Sequence, residues 1–331
     1  MELVCPAGSL PSLKAAVDHG ADAVYIGFRD QTNARHFAGL NFDAVTMETG
    51  IRYARARGTH VYLALNTYPQ PAGWPRWQTA VDRAADLGVD ALIAADLGVF
   101  DYATSTWPEL RLHLSVQGSA ANYEAIRFYH EHFGIKRVVL PRVLSLRQVE
   151  HLVQFCPVEV EVFGFGSLCV MMEGRCFLSS FAAGESPNSC GACSPARAVE
   201  WRETPTGLET RLGGMLIDRF GLDEKAGYPQ VCKGRYQVNG QTYYALEEPN
   251  SLNTLSLLPQ IRAAGVTAIK IEGRQRSPTY ISQVARVWRA AIDACERDAA
   301  GFVPRPEWVA QLNKVSEGTH TTLGAYHRPW R

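Results

Sequence analysis

At 331 residues, with 46 % hydrophobic and 20 % charged residues, the chain has an ordinary globular balance, which excludes a disordered chain, a coiled coil and a collagen-like rod. That length suits two average domains or one large α/β barrel. Thirty-three basic residues meet thirty-three acidic ones, so the net charge is zero and lacks the basic excess of a protein that lives on nucleic acid.

The N-terminal run Met-Glu-Leu-Val-Cys-Pro-Ala-Gly lacks the basic and long apolar regions of a signal peptide. Short apolar runs predict strands over 2–5, 23–26, 60–65, 91–94, 111–116, 137–140, 158–163 and 268–271. Helix-like stretches lie over 11–19, 42–57, 77–87, 97–106, 122–133, 144–155 and 252–264. Four of the units share a signature in which Gly20, Gly88, Gly134 or Gly265 closes a helix and an apolar strand follows. Eight strands alternating with helices is the arithmetic of an α/β fold of the (β/α)8 TIM-like barrel class. A doubly wound open sheet with a second domain is the alternative. A long cysteine-bearing insertion interrupts the pattern between strands seven and eight. The expected organisation is residues 1–165 for strands one to seven, 166–250 for the inserted subdomain, 251–300 for the last barrel helices and strand eight, and 301–331 for a tail packing on the barrel. A barrel gathers its chemistry at the C-terminal ends of its strands, which here present Gly8, Asn66, Gln117, Ser119, Arg142, Glu272 and Arg274 among others.

Every hydrophobic run is broken well short of the roughly eighteen residues of a membrane span, so the expectation is a cytoplasmic protein with no integral membrane contact. Eight cysteines in such a compartment read as metal, redox or packing residues rather than disulfides. Cys5, Cys156 and Cys295 read as packing residues. Cys169 and Cys176 are separated by six intervening residues, Cys190 and Cys193 form a C-x-x-C pair, and Cys232 follows after thirty-eight more. At least four thiolates from three segments suit either tetrahedral zinc or an iron–sulfur cluster. A zinc ribbon usually has two close pairs, and here only one pair is close.

The run from Glu161 through Phe163, Gly166, Ser167, Cys169, Gly174 and Cys176 to Leu178 and Ser179 resembles the defining motif of the collagenase-like peptidase family. Further resemblance covers Cys5-Pro-Ala-Gly8, Ala21 to Gly27, Asn33 to Phe42, Leu140 to Ser145 and Lys270 to Pro278. The resemblance implies a 4Fe-4S cluster held by Cys169, Cys176, Cys193 and Cys232, with Cys190 as an alternative ligand. It also implies a heterodimer with a UbiV-type paralogue that carries its own cluster. The implied activity is hydroxylation of aromatic polyprenyl precursors of ubiquinone without dioxygen, with prephenate as oxygen donor. A lipid carrier or a groove built with the partner would deliver the substrate. A relative that hydroxylates RNA bases, a zinc-stabilised scaffold and a peptidase are the alternatives. The sequence holds no H-E-x-x-H helix and no G-x-S-x-G elbow that would serve a peptidase.

An acid inside a barrel strand must be paired or functional. Glu161 is expected to find Arg142, Lys270 or Arg274, and these four form the candidate catalytic set. Arg35, His36 and Asn41, after strand two, and Arg276 could bind a carboxylated substrate, since Arg suits bidentate carboxylate recognition. Tyr62, Tyr68, Trp74 and Trp77 could line a slot for an apolar ring.

Overall fold

Most of the long helices start and stop on local chemistry. The side chains of Ser9, Asp43, Asp96, Asn122, Ser145 and Ser277 accept hydrogen bonds from backbone N–H groups of the turns they begin. Gly20, Gly88, Gly134 and Gly265 take φ values of +91°, +62°, +61° and +89° and pass the chain from a helix into the next strand. The computed structural model describes residues 1–37, 39–189, 191–318 and 320–328.

The strands that result are β1 (Glu2–Pro6), β2 (Ala23–Ile26), β3 (His60–Leu65), β4 (Ala91–Ala94), β5 (Leu112–Leu114), β6 (Arg137–Val139) and β7 (Glu159–Ser167). The helices between them are α1 (Leu10–Asp18), α2 (Ala44–Arg55), α3 (Trp74–Asp86), α4 (Leu97–Thr106), α5 (Tyr123–Phe133) and α6 (Leu146–Phe155). The interval that follows holds the short helix α7 (Leu178–Ala183) and two small antiparallel sheets. One is β8 (Val199–Thr204), β9 (Gly207–Leu212) and β10 (Met215–Phe220); the other is the hairpin β11 (Arg235–Val238) and β12 (Gln241–Tyr244). Then come β13 (Ser251–Asn253), α8 (Leu258–Ala263), β14 (Ala268–Ile271), α9 (Pro278–Arg297), α10 (Pro306–Val315) and β15 (Thr321–Thr322).

Strands β1 to β7 pair in parallel in chain order, and β14 pairs in parallel with both β7 and β1. The register runs Val4 to Ala23, Tyr25 to Tyr62, Leu63 to Leu92, Ile93 to His113, Leu114 to Val138, Val139 to Glu161, Phe163 to Lys270 and Lys270 back to Val4. Eight parallel strands therefore close into a (β/α)8 barrel. Among the described residues no helix is long and apolar enough to cross a membrane.

Three elements differ from the expected pattern. Strand seven continues to Ser167 rather than stopping at 163, and strand five shrinks to Leu112–Leu114. The stretch 252–264 is not one helix: β13 pairs antiparallel with the end of β7, Ser251 opposite Ser167 and Asn253 opposite Phe165, and α8 begins only with Pro259 in its first turn. Pairing to a distant strand overrides the local helical pattern there.

Alternation along the strands sorts residues into two sets. Leu3, Cys5, Val24, Ile26, Leu63, Leu92, Leu114, Val138, Val162 and Ile269 pack outward against the helices, where Cys295 of α9 is also buried. Cys156 caps α6 and is half-buried. Val4, Ala23, Tyr25, Tyr62, Ala91, Ile93 and Ala268 fill the barrel as a separate cluster. Three alanines in that set leave room, and long polar side chains take it. Arg137 donates to both carboxylate oxygens of Glu2 (3.1 and 2.6 Å), to Glu159 (2.8 Å) and to Glu161 (3.2 Å). Lys270 donates to Glu161 at 2.6 Å and lies 3.9 Å from the Tyr25 ring centre. Tyr62 donates to Glu2 at 2.7 Å and meets His113 edge-on. Burial, reinforced by Arg137, Arg111 and Lys270, pushes the fully buried His113 well below the usual imidazole range, so the ring is neutral. Glu2, Arg137 and Glu159 are near or at the first residues of their strands, so this network plugs the N-terminal end of the barrel.

Burial pushes the Glu2 carboxyl up, but Arg137, the Tyr62 hydroxyl and His60 outweigh it and hold the group below its ordinary 4.5. A group depressed in the folded state stabilises the fold fully above its unfolded value and ceases to do so as pH falls through its folded value. Glu2→Gln is therefore expected to lower stability by about 1.5–3 kcal/mol at neutral pH, as for hydrogen bonds to charged groups. In thermal melts from pH 8 to pH 3 the gap between native and variant protein should hold steady above about pH 4.5 and close below it. A gap that stays constant to pH 3 would contradict this assignment.

Candidate functional site

The opposite end of the barrel is built from loops that lean on one another. Asn33 is their hub. Its Nδ2 donates to the Phe28 carbonyl at 3.0 Å, and its Oδ1 accepts from the Arg35 N–H at 3.1 Å and from the Arg274 guanidinium. Asn66, after β3, accepts from the Ala34 N–H at 3.1 Å and lies 3.4 Å from Ser115 Oγ. The loops after β2, β3, β5 and β14 are thus tied together by amides and hydroxyls, which leaves the charged groups to face the mouth.

Those charges are unevenly matched. Glu272 accepts from the Ser167 N–H at 3.1 Å and from Gln275 at 3.3 Å. Burial raises its carboxyl, but Arg35, Arg142 and Arg276 outweigh burial and leave it below the usual range. Arg274 is buried, with the Asn33 side chain as its partner and the Tyr25 ring 5.6 Å away. Burial pushes its guanidinium down to about 10; Tyr25 and Glu272 hold it up, and Arg35 adds to the depression. That direction marks a cation short of carboxylate partners. The Arg276 Nε is buried without a hydrogen-bond partner. Arg35, Arg274 and Arg276 therefore gather around Glu272 alone.

Arg142 belongs to a second group. Its Nε donates to Glu173 at 2.7 Å, and it also donates to the Ser167 carbonyl. It stacks over Phe163, 4.3 Å from the ring centre, and interacts with Cys169. Of the three partners expected for Glu161, the structure gives it Lys270, together with Arg137, inside the barrel, and not Arg142 or Arg274. Arg142 and Arg274 sit at the mouth with partners of their own. The spacing of strand ends in the sequence did not reveal that these side chains lie in different layers.

The segment that follows β7 folds back over the mouth. Gly174, at φ +85°, presses so closely on the β5 loop that a Cβ would sit 1.9 Å from the Gln117 carbonyl oxygen. Gly191, at φ +81°, stands equally close to the Ala34 carbonyl, and Arg35 donates to the Gly191 carbonyl. Ser119 Oγ donates to the Glu173 carbonyl at 2.5 Å, and Asn188 bridges to Cys176 through a 3.3 Å bond to its carbonyl.

This fold-back gathers the thiols. Cys169 follows β7 directly, Cys176 precedes α7, Cys193 lies beyond Gly191, and Cys232 sits in a 3-10 turn, Val231–Lys233. Cys232 interacts electrostatically with Cys193, Cys176 and Cys169. Cys190 lies outside the described residues. Burial pushes the Cys169 thiol up to about 12, with Glu173 adding to the shift and Arg142 opposing it. Burial and Cys193 push Cys232 up to about 11 against the pull of Lys233. Such thiols are protonated until a metal cation replaces their protons. Among the described residues no three His, Cys, Asp or Glu come close enough together to hold one metal ion. Cys232 is thus the thiol that links the other three, and four soft donors are the ligand set a multi-iron cluster takes.

The other expected residues are dispersed. His36 contacts the Asn33 carbonyl through Nδ1 at 3.0 Å, and Asn41, at φ +70°, donates to the Arg35 carbonyl at 2.6 Å. The four aromatics do not share a slot: Tyr62 faces the barrel floor, Trp77 is in the outer core, and Trp74 packs edge-on to Tyr102. Tyr68 alone reaches the mouth, donating to the Gln117 carbonyl at 2.5 Å. Three contributors went unassigned in the sequence: Asn33, Arg137 and Glu173. A Glu between two cysteines and a basic residue opening an interior strand were the available signals.

A family model for peptidase family U32 matches residues 8–329. The tRNA hydroxylation protein P1 of Bacillus subtilis (strain 168) is 29 % identical over 318 residues, covering 95 % of this chain and 68 % of that protein. The tRNA hydroxylation protein P of Escherichia coli (strain K12) is 31 % identical over 323 residues, covering 92 % and 69 %. A collagenase of Porphyromonas gingivalis is 31 % identical over 306 residues, covering 88 % and 66 %. With a match that spans nearly its whole length, the chain belongs to peptidase family U32.

Proposed function

We propose that this chain is the iron–sulfur subunit, of the UbiU type, of a dioxygen-independent hydroxylase that acts on aromatic ubiquinone precursors with a UbiV-type paralogue. The observation that carries the reading is the meeting of two features at one barrel mouth. Cys232 is coupled there to three other thiols, and the buried Glu272 is coupled to Arg35, Arg142, Arg276 and Arg274. A 4Fe-4S cluster bound by Cys169, Cys176, Cys193 and Cys232 supplies one-electron chemistry at that mouth.

The chain's own groups then divide the work. Arg274 and Arg35 bind carboxylates, and Asn33 fixes the Arg274 guanidinium by accepting from it. Arg276 adds a third cation, and Glu272 offsets one of the three. Guanidiniums of this kind suit a carboxylated donor such as prephenate, which is the oxygen donor in this reading. Arg142 and Glu173 neutralise each other and hold the Cys169 to Cys176 segment against β7. Tyr25 keeps its proton, because burial and Glu272 push it above the usual range and its hydroxyl is committed to the Ile271 carbonyl at 2.8 Å. The polyprenyl acceptor reaches the mouth on a lipid carrier or through a groove shared with the partner. A second reading, hydroxylation of an RNA base, draws on the names of the tRNA hydroxylation relatives. The zero net charge favours the quinone precursor.

Anaerobic reconstitution should give brown protein with about four irons and four sulfides per chain. Replacing Cys169, Cys176, Cys193 or Cys232 by Ser should remove most of the iron, and Cys190→Ser should retain it. Colourless protein with stoichiometric zinc would refute the cluster and leave a scaffold. Inactivating the gene should make hydroxylation-deficient quinone precursors accumulate in anaerobic cultures only, as read by mass spectrometry of lipid extracts. An unchanged quinone pool with loss of a hydroxylated RNA nucleoside would transfer the proposal to RNA. In the reconstituted reaction, Arg274→Gln should raise KM for the carboxylated donor by about tenfold or more, as expected when a charged hydrogen bond is lost. Normal donor kinetics would remove Arg274 from the binding role.

A further inference from the structure

The C-terminal segment makes contacts that neither the barrel nor the proposed chemistry explains. After α10 the chain turns back, and β15 pairs in parallel with β13, Ser251 opposite Thr321. β13 in turn pairs with the end of β7, where Ser251 stands opposite Ser167, two residues before Cys169. The Glu317 N–H donates to Ser251 Oγ at 2.8 Å, which fixes the position of that glutamate. Its carboxylate accepts from Lys233 Nζ at 3.1 Å. The Lys233 side chain is completely enclosed, and Lys233 is the residue next to Cys232. Further along, the Tyr326 hydroxyl donates to the Phe163 carbonyl at 3.3 Å, and Arg328 pairs with Glu247.

An enclosed ammonium has few ways to satisfy its charge, so its place is dictated by its carboxylate partner. Here that partner is anchored to β13, which pairs with the end of β7, the strand that leads into Cys169. Two ligand arms far apart in the sequence are thereby referred to one fixed point.

We propose that Glu317 is a positioning residue for the thiol centre. Through its ion pair with Lys233 it holds the Cys232 arm at a set place relative to Cys169. The proposal rests on the reading of these cysteines as cluster ligands, and it is distinct from any contact with substrate. Tyr326 and Arg328 fasten the same segment elsewhere and do not touch the Lys233 arm.

The test uses the full-length chain without iron under anaerobic conditions and measures the iodoacetamide alkylation rate of each cysteine by mass spectrometry. Glu317→Gln should speed alkylation of Cys232 about five- to thirtyfold, the range opened by one or two kcal/mol of lost local stability. Cys169 should change less than twofold. Arg328→Gln, which loosens the same segment without touching Lys233, should leave Cys232 within twofold of native, and Glu317→Asp should fall between native and Gln. In reconstituted protein, Glu317→Gln should speed iron loss to a chelator by a similar factor, and Glu317→Asp should partly restore retention. If Glu317→Gln does not fold, Lys233→Met takes its place with the same selective rise expected at Cys232. An unchanged Cys232 rate, or an equal rise at every cysteine, would overturn the positioning role. If the native chain takes up no iron, the cluster reading fails while the alkylation rates still decide whether Glu317 positions Cys232.

Discussion

Closure of the barrel between β7 and β14 is the constraint on which the rest of the structure depends. These two strands pair in parallel although the whole inserted region lies between them in the chain. Their pairing fixes the exit point of that region at Ser167 and its return near Ala268, and it sets Glu272 against the Ser167 N–H. An excursion held at both ends above a barrel mouth has little choice but to fold over it. Gly174 and Gly191 then allow the backbone to settle directly on the carbonyls of Gln117 and Ala34. The coupling of Cys232 to the other thiols follows from this geometry, since none of the three segments that carry them would bring them together alone.

The barrel also separates two kinds of charge. Inside, Glu161, Lys270, Arg137 and Glu2 saturate one another's hydrogen bonds, so the network is stable and closed. At the mouth, the cations outnumber the carboxylates and their partners are neutral amides and carbonyls. A buried charge without a counter-charge is costly. A fold that keeps such an excess at one end, and a balanced network at the other, has its binding capacity on the unbalanced side.

The repeated helix, glycine and strand units made the barrel legible in the sequence, because Gly20, Gly88, Gly134 and Gly265 mark a backbone requirement that composition cannot hide. The cysteine segment was legible as a group for the same reason: several loops rich in glycine surround it. What escaped was set by distance along the chain. Ser251–Asn253 looks helical until the extended end of β7 is present to pair with it. Glu161 reads as an acid inside its strand, but Arg142 and Arg274 at neighbouring strand ends lie out of its reach, because β7 continues to Ser167 and leaves Glu161 a layer lower. Arg137 carries only the weak signal of a basic residue opening an interior strand; its importance comes from three carboxylates contributed by β1 and β7.

The stoppered floor of the barrel has a further consequence. Arg137 is bound to three acids there, and a neutral His113 packs beside Tyr62, so the lower end is filled by side chains that hold one another. In a barrel of this class the floor carries stability and the loops above carry function, so a substitution below is felt as lost stability while one above is free to alter what the protein recognises.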